Sequence, residues 1–244
     1  MGSTRASPLP GFQPPCTQMV PMFVFFAIAM FRCVDLLCKC TIFRRILLIF
    51  AIIFMKPIFL IGFMGSGKST LGAALGRATR LEYIDLDNYI ECRFHANVRD
   101  LFARHGEAGF RDIERRMLLE VSAFEDVVVA CGGGTPCFFD NMDLMNRSGL
   151  TVMLDASEEC LTARLKVGRT RRPLIASLDD AELHAYIRQA LAERMPFYRR
   201  AAVRFPSHLL EDEGQIKRSV ADFLAMLRKN GWPDVSASDG RIQG

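Results

Sequence analysis

Gly62-Phe63-Met64-Gly65-Ser66-Gly67-Lys68-Ser69 fits the spacing GxxxxGK[ST], and its flanks give the pattern meaning. Ile58–Ile61 is an apolar run of β-formers that reads as a buried parallel strand. From Ser69 to Thr79 the chain has helical character, with Leu71 and Leu75 four apart on one face. Strand, glycine-bearing turn and helix in that order point successive backbone N–H groups, and the positive end of the helix, at a polyphosphate. Gly65, Ser66, Gly67, Lys68, Ser69 and Thr70 are therefore candidate nucleotide contacts. Lys68 is suited to neutralising the β- and γ-phosphates, and the Ser69 hydroxyl to ligating Mg²⁺. A turn that merely joins strand to helix is the plain alternative, and the complete pattern in its required context argues against it.

The remaining chain repeats the alternation. Tyr83–Asp85, Val127–Ala130 and Leu150–Leu154 read as strands, with Ala202–Phe205 as a fifth. Helical patterns fall around Asn88–Arg93, Val98–Arg104 and Glu107–Phe124, from Ser157 to Val167, from Asp180 to Arg200, and over Gln215–Leu227. This predicts an α/β fold with a parallel sheet covered on both faces. With 50% hydrophobic and 24% charged residues in a chain of 244, a wholly disordered protein is excluded. A net charge of +4 is too small to argue for nucleic-acid binding. Cys92, Cys131, Cys137 and Cys160 have neither CxxC spacing nor an accompanying histidine pair, so no zinc site or disulfide framework is expected.

Several polar residues stand where such a sheet gathers its ligands, at the carboxyl ends of strands. Asp85 and Asp87 follow the second strand; Asp85 can hold Mg²⁺ through water, and Asp87 can accept a proton from a substrate hydroxyl. Asp87 as a plain helix cap is the competing reading. Arg111 and Glu114 sit three apart on a helix, either as an ordinary ion pair or as a guanidinium fork held ready for a substrate carboxylate. Gly132-Gly133-Gly134 follows a buried strand and suggests a wall against which a small polar substrate packs. Arg164, Lys166, Arg169, Arg171 and Arg172 form a basic segment that is either a solvated face or a lid bringing an arginine to the γ-phosphate. Arg194 is a further guanidinium on a helix that can return toward the pocket.

In order along the chain, Lys56–Thr70, Ile84–Asp87 with Ile90-Glu91, Phe110-Arg111 with Glu114, the triple glycine, Arg172-Pro173-Leu174, and Arg194 with Pro196 and Tyr198 resemble the successive motifs of shikimate kinase. That family is a small member of the nucleoside monophosphate kinase-like P-loop proteins. The resemblance covers residues 57–205 and implies a three-layer P-loop NTPase fold: a five-stranded parallel sheet, a small helical substrate-binding region and a mobile lid. It further implies ATP-dependent phosphorylation of the 3-hydroxyl of shikimate, with Mg²⁺, in aromatic amino-acid biosynthesis. Residue by residue, Asp87, Arg111, Gly132, Gly133, Gly134 and Arg194 resemble the shikimate contacts. Lys68 and Arg172, with Asp87, resemble the catalytic set; Ser69 and Asp85 resemble the magnesium shell; and Arg169 and Arg172 resemble lid arginines on the nucleotide side. Cys131, Thr135, Pro136 and Cys137 match no motif role. A P-loop kinase of another hydroxy acid such as gluconate, or a nucleotide-binding module without catalysis, are the rival readings.

Residues 1–54 resemble none of this. They hold Arg5, Arg32, Lys39, Arg44 and Arg45 against the single acid Asp35. Their apolar runs, Val20–Phe31 and Ile46–Met55, both fall short of the roughly 18–20 residues that cross a bilayer as a helix. The expected organisation is an extension over 1–54 outside the fold, a domain over 55–230 beginning at Met55, and a polar tail over 231–244. A cytoplasmic monomer binding shikimate and ATP follows, with no nucleic-acid partner and with membrane contact only through the extension.

Overall fold

All four residues of β1 (Ile58–Ile61) are buried, as a strand covered on both faces requires. The computed structural model describes residues 55–169, 175–208, 210–232 and 235. From β1 the chain continues through α1 (Lys68–Ala78), β2 (Glu82–Asp85), α2 (Leu86–Phe94), α3 (Val98–Val121) and β3 (Val127–Ala130). A short 3₁₀ turn at Thr135–Cys137 leads into α4 (Asn141–Ser148), β4 (Leu150–Asp155), α5 (Glu158–Val167), α6 (Asp180–Tyr198), β5 (Val203–Pro206) and α7 (Glu213–Lys229). The five strands are ordered β2-β3-β1-β4-β5, and every neighbouring pair is parallel.

Alternate residues of β1 serve opposite faces of the sheet. Phe59 and Ile61 pack with Leu86 and Ile90 of α2, Leu118 of α3 and Ile187 of α6. Ile58 and Leu60 pack with Leu71 and Leu75 of α1 and with Val220 and Phe223 of α7. Each such side chain, fully removed from water, contributes about 1.5–3 kcal/mol before conformational entropy is set against it. Because β1 lies between β3 and β4, the strand order reverses there. The crevice at the carboxyl ends of β1, β2 and β3 is where an open α/β sheet receives a ligand.

The expected strands and the three-layer arrangement are present, and the differences have physical reasons. The break expected between helices at Val98–Arg104 and Glu107–Phe124 is present within α3, where two helical stretches meet at Gly106 with φ 66° and ψ −178°. Helix α4 has no counterpart in the expected elements; it is short, and its apolar anchors are the methionines Met142 and Met145 with Leu144. Packing also continues past the boundary expected at 230. Trp232 lies against the α7 side of the core, Val235 is buried, and the Val235 carbonyl accepts the Arg80 N–H at 3.3 Å. At the other end Met55 is integral to the domain: its side chain is buried, its N–H donates to Asp126 Oδ1 at 3.2 Å, and its carbonyl accepts the Asp126 N–H at 2.8 Å. The extension 1–54 and the lid arginines Arg171 and Arg172 lie outside the described residues. Among the described residues no helix is long and apolar enough to cross a membrane.

β1 and β4 approach so closely at their start that a Cβ on Gly149 would run into the Pro57 carbonyl, which itself accepts the Leu150 N–H at 3.0 Å. Gly149→Ala is expected to lower stability by about 1–3 kcal/mol. Urea unfolding measures this, and an unchanged midpoint would contradict the close approach.

Candidate active site

The loop between β1 and α1 is shaped by glycine. Gly67, at φ 93° and ψ 15°, caps α1 in a left-handed conformation that other residues adopt only at a cost. The N–H groups of the first turn of α1, which begins at Lys68, have no partner within the helix and face the crevice end of the sheet. Lys68 folds back over the loop, its Nζ donating to the Gly62 and Phe63 carbonyls at 2.9 Å each. Burial pulls its pKa down to about 8, against the opposing pull of Asp87. Ser66 points inward instead. Its side chain is fully buried with no partner for Oγ, and its N–H closes a turn on Phe63 at 3.1 Å. Ser66 thus contributes loop shape, while Ser69 Oγ is exposed and donates to Asp85 Oδ2 at 3.0 Å.

The cap of α2 is Asp85, not Asp87. Asp85 Oδ1 accepts the N–H groups of Asp87 and Asn88 at 3.1 and 3.4 Å, and its Oδ2 also accepts the Tyr83 hydroxyl at 3.1 Å. Asp87 is thereby left free of capping duty. Burial, then the negative charges of Asp85 and Glu114, push its pKa up to about 6. A carboxylate in that range can take a proton from an alcohol and release it again near neutrality.

Arg111 on α3 is largely buried. Its Nη1 donates to Glu114 Oε2 at 2.9 Å, and its Nη2 reaches the exposed Glu107 at 3.4 Å. The guanidinium lies 4.0 Å from the Phe138 ring centroid, with Phe102 and Phe110 at 5.7 and 5.5 Å. Its Nε is buried without a partner, an unsatisfied donor that suits an anionic ligand. The Arg111–Glu114 pair is far from the solvated surface pair that the spacing also allowed, since the Glu114 side chain is only 2% exposed. Breaking a buried pair of this kind costs about 3–5 kcal/mol.

The three glycines collect these groups. A Cβ on Gly132 would lie 3.3 Å from Glu114 Oε1 and 3.4 Å from Asp87 Oδ1; on Gly133, 3.4 Å from Arg194 Nη1; on Gly134, 2.9 Å from Arg111 Nη2. None of the three has a positive φ; Gly134 is needed for the close approach of Arg111 and Gly132 for that of the Thr135 hydroxyl at 3.0 Å, whereas a Cβ on Gly133 would make only ordinary contacts. Arg194, from α6, stands 5.4 Å over the Phe63 ring of the phosphate loop. One turn later, Tyr198 donates its hydroxyl to the Gly133 carbonyl at 2.6 Å, which ties the glycine wall to the helix that carries Arg194. The expected substrate residues Asp87, Arg111, Gly132, Gly133, Gly134 and Arg194 are thus brought together beside Lys68.

The basic segment divides. Arg164 is no surface charge: Nη1 donates to the Gly65 carbonyl of the phosphate loop at 3.2 Å and Nε to Glu211 at 2.7 Å. Lys166 pairs with Asp180, and Arg169 donates to the Leu178 carbonyl at 2.6 Å and to Asp180 at 3.0 Å. In this arrangement Arg169 holds the start of α6 and does not reach the phosphate loop. Thr135 has a role the motifs did not suggest, because its hydroxyl donates to Glu114 Oε1 at 2.5 Å.

Comparison with known proteins identifies the family. Residues 64–227 match the family model for shikimate kinase. A shikimate kinase of Phocaeicola vulgatus is 53% identical over 175 residues, covering 72% of this chain and all of that protein. The chain belongs to the shikimate kinase family. The 1.7 Å crystal structure of the shikimate kinase from Bacteroides thetaiotaomicron superposes with a TM-score of 0.69 at 49% identity, over 71% of this chain and 99% of that one. The shikimate kinase of Acinetobacter baumannii in complex with shikimate gives 0.63 at 28% identity, over 72% of this chain and 94% of that one. The shikimate kinase match begins inside the phosphate loop and ends within α7, so it takes in every described residue of the candidate site except Gly62 and Phe63.

Asp85→Asn keeps an oxygen to cap α2 while removing one of the charges that raise Asp87. In the ligand-free protein, carboxyl-detected NMR is expected to find Asp87 titrating near 6, and lower in the Asp85→Asn variant. A midpoint in the ordinary aspartate range in the unsubstituted protein would contradict the burial of Asp87.

Proposed function

We propose that this chain transfers the γ-phosphoryl group of ATP to the 3-hydroxyl of shikimate, giving shikimate 3-phosphate and ADP, in the cytoplasm and as a step toward chorismate and the aromatic amino acids. What carries the reading is the convergence of two guanidiniums and one raised carboxylate on three glycines beside a phosphate loop. Shikimate supplies the matching pieces: a carboxylate for Arg111 and Arg194, and a hydroxyl for Asp87.

The carboxylate of the acid takes the guanidinium of Arg111, whose long Nη2 bond to exposed Glu107 gives way, and that of Arg194, and the ring lies against Gly132–Gly134. Charge-assisted and bidentate bonds of this kind fix orientation as well as affinity. Asp87 accepts the proton of the 3-hydroxyl as its oxygen bonds to the γ-phosphorus and the bond from that phosphorus to the β,γ-bridging oxygen breaks. Lys68 exchanges its bonds to Gly62 and Phe63 for the transferring phosphoryl oxygens, and the main-chain N–H groups of Gly65 to Thr70 hold the remaining phosphates. Binding a polyanion there restores the Lys68 charge that burial weakens.

Ser69 and Asp85 are two hard oxygen donors side by side, and among the described residues no cluster of three or more His, Cys, Asp or Glu competes for a metal. That donor set fits Mg²⁺, which takes one or two protein oxygens and keeps its waters and substrate phosphates. When bound, the ion would neutralise charge on the β- and γ-phosphates. Arg172 is assigned to the phosphoryl group from the family motif, and Arg169 reaches the nucleotide only by giving up Leu178 and Asp180. The domain that carries the activity begins at Met55, whose main-chain bonds to Asp126 close it. It acts as a monomer without nucleic acid.

Two substitutions separate the roles in steady-state kinetics. Lys68→Met is expected to lower kcat by about 10²–10³-fold with little change in the KM for shikimate. Arg111→Lys is expected to raise that KM by about 10–100-fold. Unchanged kcat in the first, or unchanged KM in the second, would defeat the role assigned.

A further inference from the structure

Glu114 keeps two separate hydrogen-bond donors. One oxygen takes Arg111 Nη1 at 2.9 Å; the other takes the Thr135 hydroxyl at 2.5 Å. Thr135 is itself fully buried, and its carbonyl accepts Asn141 Nδ2 at 2.8 Å. Asn141, also fully buried, accepts Arg115 Nη1 at 3.0 Å on its Oδ1, and Arg115 pairs with Asp140 at 2.5 Å. The side chains form one connected path from the candidate carboxylate clamp to the start of α4. Arg115 and Glu114 are neighbours on α3, so the path leaves α3, crosses residues 135–141 and returns to it.

The same short segment bears on Arg111 in three ways. Gly134 clears the space beside Nη2, Thr135 holds the counter-ion, and Phe138 covers the guanidinium face at 4.0 Å. Three main-chain bonds hold the segment in shape: Thr135 N–H to the Gly132 carbonyl at 3.2 Å, Cys137 N–H to the Gly134 carbonyl at 2.8 Å, and Asn141 N–H to the Phe138 carbonyl at 3.2 Å. Without the hydroxyl, Glu114 Oε1 would face the interior with no donor. A buried carboxylate in that state turns toward whatever donor remains, which here is Arg111. The guanidinium would then follow its counter-ion and lose the angle at which it meets a ligand.

We propose that Thr135 is a positioning residue for substrate recognition: by fixing the Glu114 carboxylate it sets the orientation of Arg111 toward the substrate carboxylate. The inference rests on the assignment of Arg111 as a shikimate contact. It goes beyond that assignment because Thr135 belongs to none of the motifs and, fully buried, acts through Glu114.

The test measures kcat and both KM values for Thr135→Val, Thr135→Ala and Thr135→Ser, with Arg111→Lys alongside. Thr135→Val keeps the shape and removes the donor; Thr135→Ala removes the donor without an added methyl and serves if the valine does not pack. The expected result is a KM for shikimate raised about tenfold in both, the usual weight of a hydrogen bond to a charged group. The kcat and the KM for ATP stay within about twofold, and Thr135→Ser recovers the original KM because it restores the hydroxyl. A raised KM in Arg111→Lys with an unchanged KM in Thr135→Val and Thr135→Ala overturns the positioning role alone. A fall in kcat with unchanged KM, or a serine variant that behaves like the valine one, overturns it as well. An unchanged KM in Arg111→Lys instead removes the assignment on which the inference stands.

Discussion

Asp87, Arg194 and Arg111 converge on Gly132, Gly133 and Gly134, and the tightest of these approaches, Arg111 to Gly134, needs the absence of a side chain. The three groups come from α2, α6 and α3, elements distant in sequence that the sheet brings to one end. A single alanine at Gly134 would meet the Arg111 guanidinium at 2.9 Å. Close approach is therefore the constraint at Gly134 and, against the Thr135 hydroxyl, at Gly132; none of the three glycines is in a left-handed conformation.

Closeness has an electrostatic consequence. Asp85, Asp87 and Glu114 share one small volume with Lys68, Arg111 and Arg194, and the balance between them sets each group's readiness. Asp87 is raised to about 6 by its burial and by the neighbouring carboxylates, while Lys68 is lowered to about 8 mainly by burial. Both shifts favour the less charged forms. A bound polyanion beside Lys68 would raise its pKa again and favour its charged form. Phosphoryl transfer asks a protein chiefly for charges placed around the moving group.

Much of this was legible in the sequence because its signals are local. The phosphate loop is a contiguous pattern, β3 (Val127–Ala130) is an unbroken apolar run, and Ser157 caps α5 as its position suggests, accepting the Cys160 N–H at 3.2 Å. Pairings across the fold left no such trace. Arg164 reads as one of several basic residues until its contact with Gly65 across 99 positions is seen. Thr135 is silent because its partner Glu114 lies 21 residues earlier on another element. Whether Asp85 or Asp87 caps α2 differs by two residues, and only the backbone geometry decides it. Trp232 and Val235 fall in a polar stretch whose composition hides two apolar contacts.

The central claim is that Arg111 and Arg194 grip one carboxylate while Asp87 faces the alcohol to be phosphorylated. A crystal structure of this chain with shikimate and a non-hydrolysable ATP analogue tests it most directly. The account predicts the shikimate carboxylate within hydrogen-bond distance of both guanidiniums, its ring against Gly132–Gly134, and its 3-hydroxyl on Asp87 facing the γ-phosphate. Shikimate bound elsewhere, or with its carboxylate away from Arg111 and Arg194, would contradict it.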